Sequence, residues 1–269
     1  KFEKELQHYQ PDVVLVPGDV NSSTACALVA SRKNIKLGHI ESGLRSFDRT
    51  MPEEINRILI DDLSDFFFVT EQSGIDHLKK ENKSEEQIHF VGNTMIDSLV
   101  EFRSHIEKSS ILDEINSPSN YALMTFHRPS NVDQIDTLIE LVKTIQLCSK
   151  NISVLLPLHP RTKKSLQKHK LWSDFEQIPN LIQTDSLGYL DFMKLVSNAD
   201  IVITDSGGIQ EETTYLQIPC ITVRENTERP ITITLGNNEL IELDATKISE
   251  RMIEKLNNSE IGEIPPLWD

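Results

Sequence analysis

Short β-branched and apolar runs alternate along the chain with stretches whose apolar positions recur at helical spacing, the pattern of parallel sheets covered by helices on both faces. In the first half, strands are predicted at residues 12–16, 37–41, 65–70 and 88–91, and helices at about 22–33, 53–63, 71–81 and 94–106. Asn21-Ser22-Ser23 supplies a start signal for the first of these helices and Pro52 a first-turn proline for the second. A polar break at 107–120 precedes a second series. There, strands are predicted at 121–126, 152–157, 181–184, 201–204 and 220–223, and helices around 133–150, 188–197, 208–216 and 246–257. The fold class is α/β, with two Rossmann-like doubly wound domains expected over 1–116 and 117–269. Residues 2–9 read as the tail of an amphipathic helix and 265–269 as an extended end, so the chain is expected to be a fragment whose first domain lacks its opening β-α units. In such sheets ligands sit beyond the carboxyl ends of the strands, and that is where chemistry is sought.

Charge narrows the partners. Lys and Arg number 27 against 42 Asp and Glu, a net charge of −15, which disfavours nucleic acid or an anionic membrane as the main partner. The apolar runs 66–69 and 154–158 are far too short to insert in a membrane. Cys26, Cys148 and Cys220 are widely separated, without ligand spacing, which fits reduced thiols in the cytoplasm and no structural metal.

The sharpest ligand signal is Thr204-Asp205-Ser206-Gly207-Gly208-Ile209-Gln210-Glu211-Glu212. A buried strand runs through two glycines into a helix whose free N–H groups and dipole suit a phosphate. Glu212 lies six residues after Ser206, roughly 9 Å along a helix, within reach of ribose hydroxyls. The bland alternative is a tight turn followed by a solvated Glu pair. Neither a Walker lysine nor G-x-G-x-x-G spacing is present.

Acidic residues gather at strand ends in the first half: Asp19 after Pro17-Gly18, Glu41 between Gly38 and Gly43, and Glu53-Glu54 after Pro52. Carboxylates brought to one sheet edge can act as general acid and base. Asp19 could equally cap a helix, and Glu53 and Glu54 could serve the helix dipole. His127-Arg128 leave the first strand of the second series, where His127 could donate a proton or contact phosphate; His159-Pro160-Arg161 repeats the theme. His39, His77, His89, His105 and His169 have no companion motif and are assigned to surface or packing.

Taken in order, Pro17-Gly18-Asp19-Val20-Asn21-Ser22, Gly38-His39-Ile40-Glu41-Ser42-Gly43-Leu44-Arg45, Pro52-Glu53-Glu54-Ile55-Asn56-Arg57, Val91-Gly92-Asn93-Thr94-Met95-Ile96-Asp97, Asp205-Ser206-Gly207-Gly208-Ile209-Gln210-Glu211-Glu212 and Thr227-Glu228-Arg229-Pro230 resemble the non-hydrolysing UDP-N-acetylglucosamine 2-epimerases over nearly the whole chain. The resemblance implies a glycosyltransferase-B fold and inversion at C2 of the sugar, by anti-elimination of UDP to 2-acetamidoglucal and re-addition. By matching motif, Asp19, Glu41 and Glu53 would be the catalytic carboxylates and His127 a residue near the leaving diphosphate. Ser206, Gly207 and Gly208 would hold the diphosphate, Glu212 the ribose, Arg229 the phosphate region and the Phe192 backbone the uracil. The resemblance implies a UDP-sugar substrate, no metal or other cofactor, and a homodimer. The family's opening Gly-Thr-Arg-Pro-Glu type loop does not occur here, and Pro129-Ser130 stands where the family often carries a charged pair. Within the fold, a hydrolysing enzyme or a 2-epimerase of a diacetamido uronic acid sugar nucleotide is an alternative; from another class, a glycosyltransferase or a non-catalytic UDP-sugar-binding fragment.

Overall fold

A computed structural model describes residues 1–258 and 261–268. Its contacts form two compact units: Lys1–Asp97 with Glu228–Ile231 and Pro266–Asp269, and Ser98–Thr227 with Thr232–Pro265. The stretch from Ser98 into the polar break therefore packs with the second unit, while two short segments of late sequence join the first. The end expected to be extended at 265–269 instead turns at Pro266 and Leu267, where Leu267 has φ +60°, and buries Trp268; Asp269 lies outside the described residues.

The first unit holds a four-stranded parallel sheet in chain order: β1 (Val13–Pro17), β2 (Lys36–Ile40), β3 (Phe66–Val69) and β4 (Ile88–Phe90). Alternation in β1 turns Val14 and Val16 inward, where they meet Leu37, Ile60, Ala27, Ala30 and Leu6. The helix Asn21–Arg32 mixes three Ala, strong helix formers, with three Ser and single Thr and Val residues, weaker ones, and packing on the sheet adds to its propensity. Ala27 and Ala30 are fully buried and let it lie close to the sheet. The expected N-terminal helix is present at Phe2–Tyr9, and the helix after β2 runs Pro52–Leu63 with its proline in the first turn.

The second unit holds six parallel strands: β5 (Tyr121–Thr125), β6 (Ser153–Pro157), β7 (Leu181–Thr184), β8 (Ile201–Thr204), β9 (Cys220–Val223) and β10 (Asn238–Ile241). Their order is β10-β9-β8-β5-β6-β7. Winding thus reverses between β8 and β5, where Thr125 pairs with Thr204, and the loops leaving those strands open a crevice at the switch point. Strands β5, β8 and β9 are buried on both faces and read as continuous apolar runs.

Several elements depart from the sequence expectation, among them short helices at Ile111–Glu114, Pro129–Val132, Trp172–Glu176 and Ile231–Thr234, the helix Pro160–Lys168 and the edge strand β10. The helix Pro160–Lys168 buries Thr162 and Ser165 beside Leu166, so small polar residues mask its apolar stripe. The edge strand β10 is short, and Asn238, Glu239 and Glu242 give its sequence a loop-like composition.

Candidate active site

In the first unit, the carboxyl end of β2 delivers Glu41. Its φ is +67°, left-handed for a residue with a side chain, a strain that tertiary contacts must hold. Gly43, two residues on, has φ +79° and packs so tightly that a Cβ would lie 2.4 Å from the Gly74 carbonyl oxygen. Glu41 is largely buried, and Arg229 Nη2 reaches its carboxylate at 3.4 Å. Arg229 Nη1 in turn donates to Glu228 at 2.6 Å. Arg229 thus packs with the first unit, beside a carboxylate.

Asp19 follows β1 and is gripped by Arg57, with Nη2 to Oδ2 at 2.5 Å. Arg57, 2% exposed, also reaches Glu54 at 3.1 Å. Glu54 is buried and accepts from the backbone N–H groups of Ser46 and Phe47 and from the Ser46 hydroxyl. Glu53 is exposed in the first turn of the same helix. Of the Glu53-Glu54 pair, then, it is Glu54 that organises the interior. Arg57 and Glu54 carry no signal individually; their spacing of three places both on one helix face, which is what unites them with Asp19.

Glu71, 1% exposed, accepts from the Ser73 hydroxyl. Burial pushes its carboxyl up to about 7, opposed by that hydroxyl and the positive charge of Arg229, and assisted by Glu228.

In the second unit, the switch point brings the residues after β5 against those after β8. The fully buried Asp205 carboxylate accepts from the backbone N–H groups of His127 and Arg128 and from the Asn131 side chain. His127 Nδ1 lies 3.0 Å from Asp205 Oδ1, and the ring remains partly exposed. A carboxylate on Nδ1 orients the ring and leaves Nε2 for other chemistry. Asp205 was legible only as a residue before Ser-Gly-Gly; pairing with His127 depends on strand order. His159 sits 5.3 Å from the His127 ring, centroid to centroid, and burial together with the His127 charge holds it below the usual histidine range.

Ser206 caps the helix Gly207–Leu216 by its extended backbone, without a side-chain cap bond. Ser206, Gly207 and Gly208 are partly exposed there, at the start of a helix, the place where first-turn N–H groups have no intrahelical acceptor. Glu212, in the second turn, is 4% exposed and pairs with Tyr189. Burial raises its carboxyl to about 7, against the Tyr189 hydrogen bond; burial and then Glu212 raise the Tyr189 phenol. Phe192 lies in the neighbouring helix Tyr189–Ser197, its N–H committed to the Gly188 carbonyl at 2.9 Å. Among the described residues no group of three or more His, Cys, Asp or Glu is placed to hold a metal ion, and no helix is long and apolar enough to cross a membrane.

Residues 1–266 match the family described as UDP-N-acetylglucosamine 2-epimerase. Over 265 residues the chain is 42% identical to a UDP-N-acetylglucosamine 2-epimerase of Methanococcus maripaludis, covering 96% of this chain and 72% of that relative. It is 38% identical over 244 residues to a UDP-2,3-diacetamido-2,3-dideoxy-D-glucuronate 2-epimerase of Pseudomonas aeruginosa, covering 90% and 66%. Among solved structures, a Methanocaldococcus jannaschii UDP-GlcNAc 2-epimerase in complex with UDP-GlcNAc and UDP is similar at a TM-score of 0.90 and 38% identity, covering 98% of this chain and 74% of that one.

Proposed function

The chain belongs to the UDP-N-acetylglucosamine 2-epimerase family, and on that premise we propose that it interconverts UDP-N-acetylglucosamine and UDP-N-acetylmannosamine. A base removes the C2 proton, UDP leaves C1 with the bonding electron pair to give 2-acetamidoglucal, C2 is reprotonated on the opposite face and UDP re-adds at C1. Asp19, Glu41 and Glu53 are the carboxylates assigned to this chemistry, and His127, held by Asp205, acts near the leaving diphosphate. The helix start at Ser206, Gly207 and Gly208 receives the diphosphate, Glu212 the ribose hydroxyls, the Phe192 backbone the uracil and Arg229 the phosphate region. The carboxylates belong to the unit that holds Lys1–Asp97 and that Arg229 joins, and the other nucleotide contacts to the unit that holds Ser98–Thr227. The reaction needs no metal, because N–H groups and basic side chains meet the charge on departing UDP. The working form on this reading is a cytoplasmic homodimer.

The observation that carries the reading is Glu41: a side-chain-bearing residue in the left-handed region, paired with Arg229. Backbone strain clusters at active sites, and here it falls on a carboxylate at a strand end that a buried arginine engages. The likeness to the Pseudomonas enzyme favours a second substrate, a diacetamido uronic acid sugar nucleotide. Proton NMR in D₂O with UDP-N-acetylglucosamine decides. UDP-N-acetylmannosamine carrying deuterium at C2 is expected; free N-acetylmannosamine plus UDP marks a hydrolysing enzyme; an unchanged spectrum directs the test to the uronic acid substrate.

A further inference from the structure

His39 lies in β2, two residues before Glu41, and neither its side chain nor that of Asp61 has any exposure. Its Nδ1 is 2.6 Å from Asp61 Oδ1 and its Nε2 is 3.0 Å from the Gly18 carbonyl oxygen. A carbonyl oxygen only accepts, and so does an ionised carboxylate; a neutral imidazole has one N–H to give. On its other oxygen Asp61 faces two donors, Arg45 Nη1 at 2.7 Å and the Gly43 N–H at 3.1 Å, so it is the ionised form that faces the ring. The surrounding charges complete the account: Arg45 Nη1 reaches Asp61 Oδ2 at 2.7 Å, and Arg45 also pairs with Glu81. With His39 charged, the two carboxylates are balanced by two cations. Glu81 lies at the exposed end of this chain of charges, so the case for a charged ring rests on the two acceptors it faces: a neutral imidazole would set a bare nitrogen against one of them, an unfavourable arrangement.

This cluster holds two backbone segments at once. The Gly18 carbonyl that receives Nε2–H belongs to the residue before Asp19, and Gly18 has φ +59°. Asp61 Oδ2 accepts from the Gly43 N–H at 3.1 Å, two residues past Glu41. The Gly18 N–H donates to the Ile40 carbonyl, so the turns after β1 and β2 are tied directly as well. We infer that His39 is a buried imidazolium that, clamped between Asp61 and the Gly18 carbonyl, positions Asp19 and Glu41 relative to one another. The inference rests on the reading of those two carboxylates as catalytic; His39 itself is a positioning residue.

Long-range ¹⁵N–¹H NMR of the wild-type chain reads the ring directly. Both nitrogens of His39 should carry protons, and one bare nitrogen overturns the inference whatever the enzyme's activity. Asp61→Asn, which keeps the shape and removes the charge, should leave His39 neutral and lower kcat on the order of 10²-fold, with KM for UDP-N-acetylglucosamine little changed. Wild-type kcat in a folded Asp61→Asn chain would sink the positioning role. Should that variant fail to fold, the wild-type spectrum still decides the protonation state. Glu41→Gln serves as the separate control: turnover surviving in that variant defeats the catalytic reading and leaves the His39 spectrum standing.

Discussion

His127 is bound to Asp205 twice: its backbone N–H donates to that carboxylate at 3.0 Å, and its ring Nδ1 lies at the same distance. A single buried group therefore sets both where the strand end stops and how the imidazole is turned. Replacing it as Asp205→Asn keeps the volume and removes the charge that selects the ring orientation. A loss of kcat of roughly 10- to 100-fold is expected, as for other partners that orient a functional histidine. Weakened hydrogen bonds to charge should lower stability by about 1.5–3 kcal/mol. Steady-state kinetics with urea unfolding checks both; unchanged kcat would remove His127 orientation from the mechanism.

Glu41 invites two substitutions with different outcomes. Glu41→Gln should abolish epimerisation while UDP affinity, measured by calorimetry, stays within a few-fold. Glu41→Gly should also be inactive, yet it relieves the left-handed backbone, worth about 1–2 kcal/mol. Its thermal midpoint should therefore not fall below that of the glutamine variant. A lower midpoint would mean that the Arg229 contact outweighs the strain.

Stability should decline with pH through the titration of Glu212 and Glu71. Burial raises each from 4.5 to about 7. Between those values the unfolded chain has released a proton that the folded chain retains, so stability falls as pH rises and is fully reduced above the folded value. Glu212 alone contributes a loss on the order of 3 kcal/mol. Glu212→Gln cannot ionise, and its advantage over wild type in urea unfolding should grow from about pH 5 to about pH 8. A constant difference would show that Glu212 does not titrate in this window.

Nucleotide binding should act on the same group. Ribose hydroxyls donating to Glu212 favour its ionised form, so UDP binding near pH 7 is expected to release protons. Calorimetry in two buffers of different ionisation enthalpy measures the release, and its persistence in Glu212→Gln would place the ribose elsewhere.

Gly43 is irreplaceable on two grounds: its φ of +79° and the approach of Gly74, whose carbonyl oxygen would lie 2.4 Å from an added Cβ. Gly43→Ala should destabilise by at least about 1–3 kcal/mol, with lost turnover because the loop carries Glu41. A wild-type denaturation midpoint would contradict this.

The apolar periodicity by itself determined most of the succession of strands and longer helices, because a buried parallel strand must be apolar throughout and a helix on a sheet must show one apolar face. It also marked the Ser206-Gly207-Gly208 helix start, since glycines after a buried strand have a local, readable meaning. The helix Pro160–Lys168 escaped because Thr162 and Ser165 bury small polar groups whose partners, the Phe126 and Val132 carbonyls, are distant in sequence. His39 looked like a packing residue for the same reason: its partners Gly18 and Asp61 lie 21 and 22 positions away. Asp205 with His127, Arg57 with Asp19 and Arg229 with Glu41 are separated by 78, 38 and 188 residues. Such pairings carry no local signal. Strand order brings the first of these pairs together and the packing of a helix and of a late segment the other two, and a charge withdrawn from water is stable only when the fold supplies its partner; sequence alone settled which groups were available, and tertiary structure decided which of them meet.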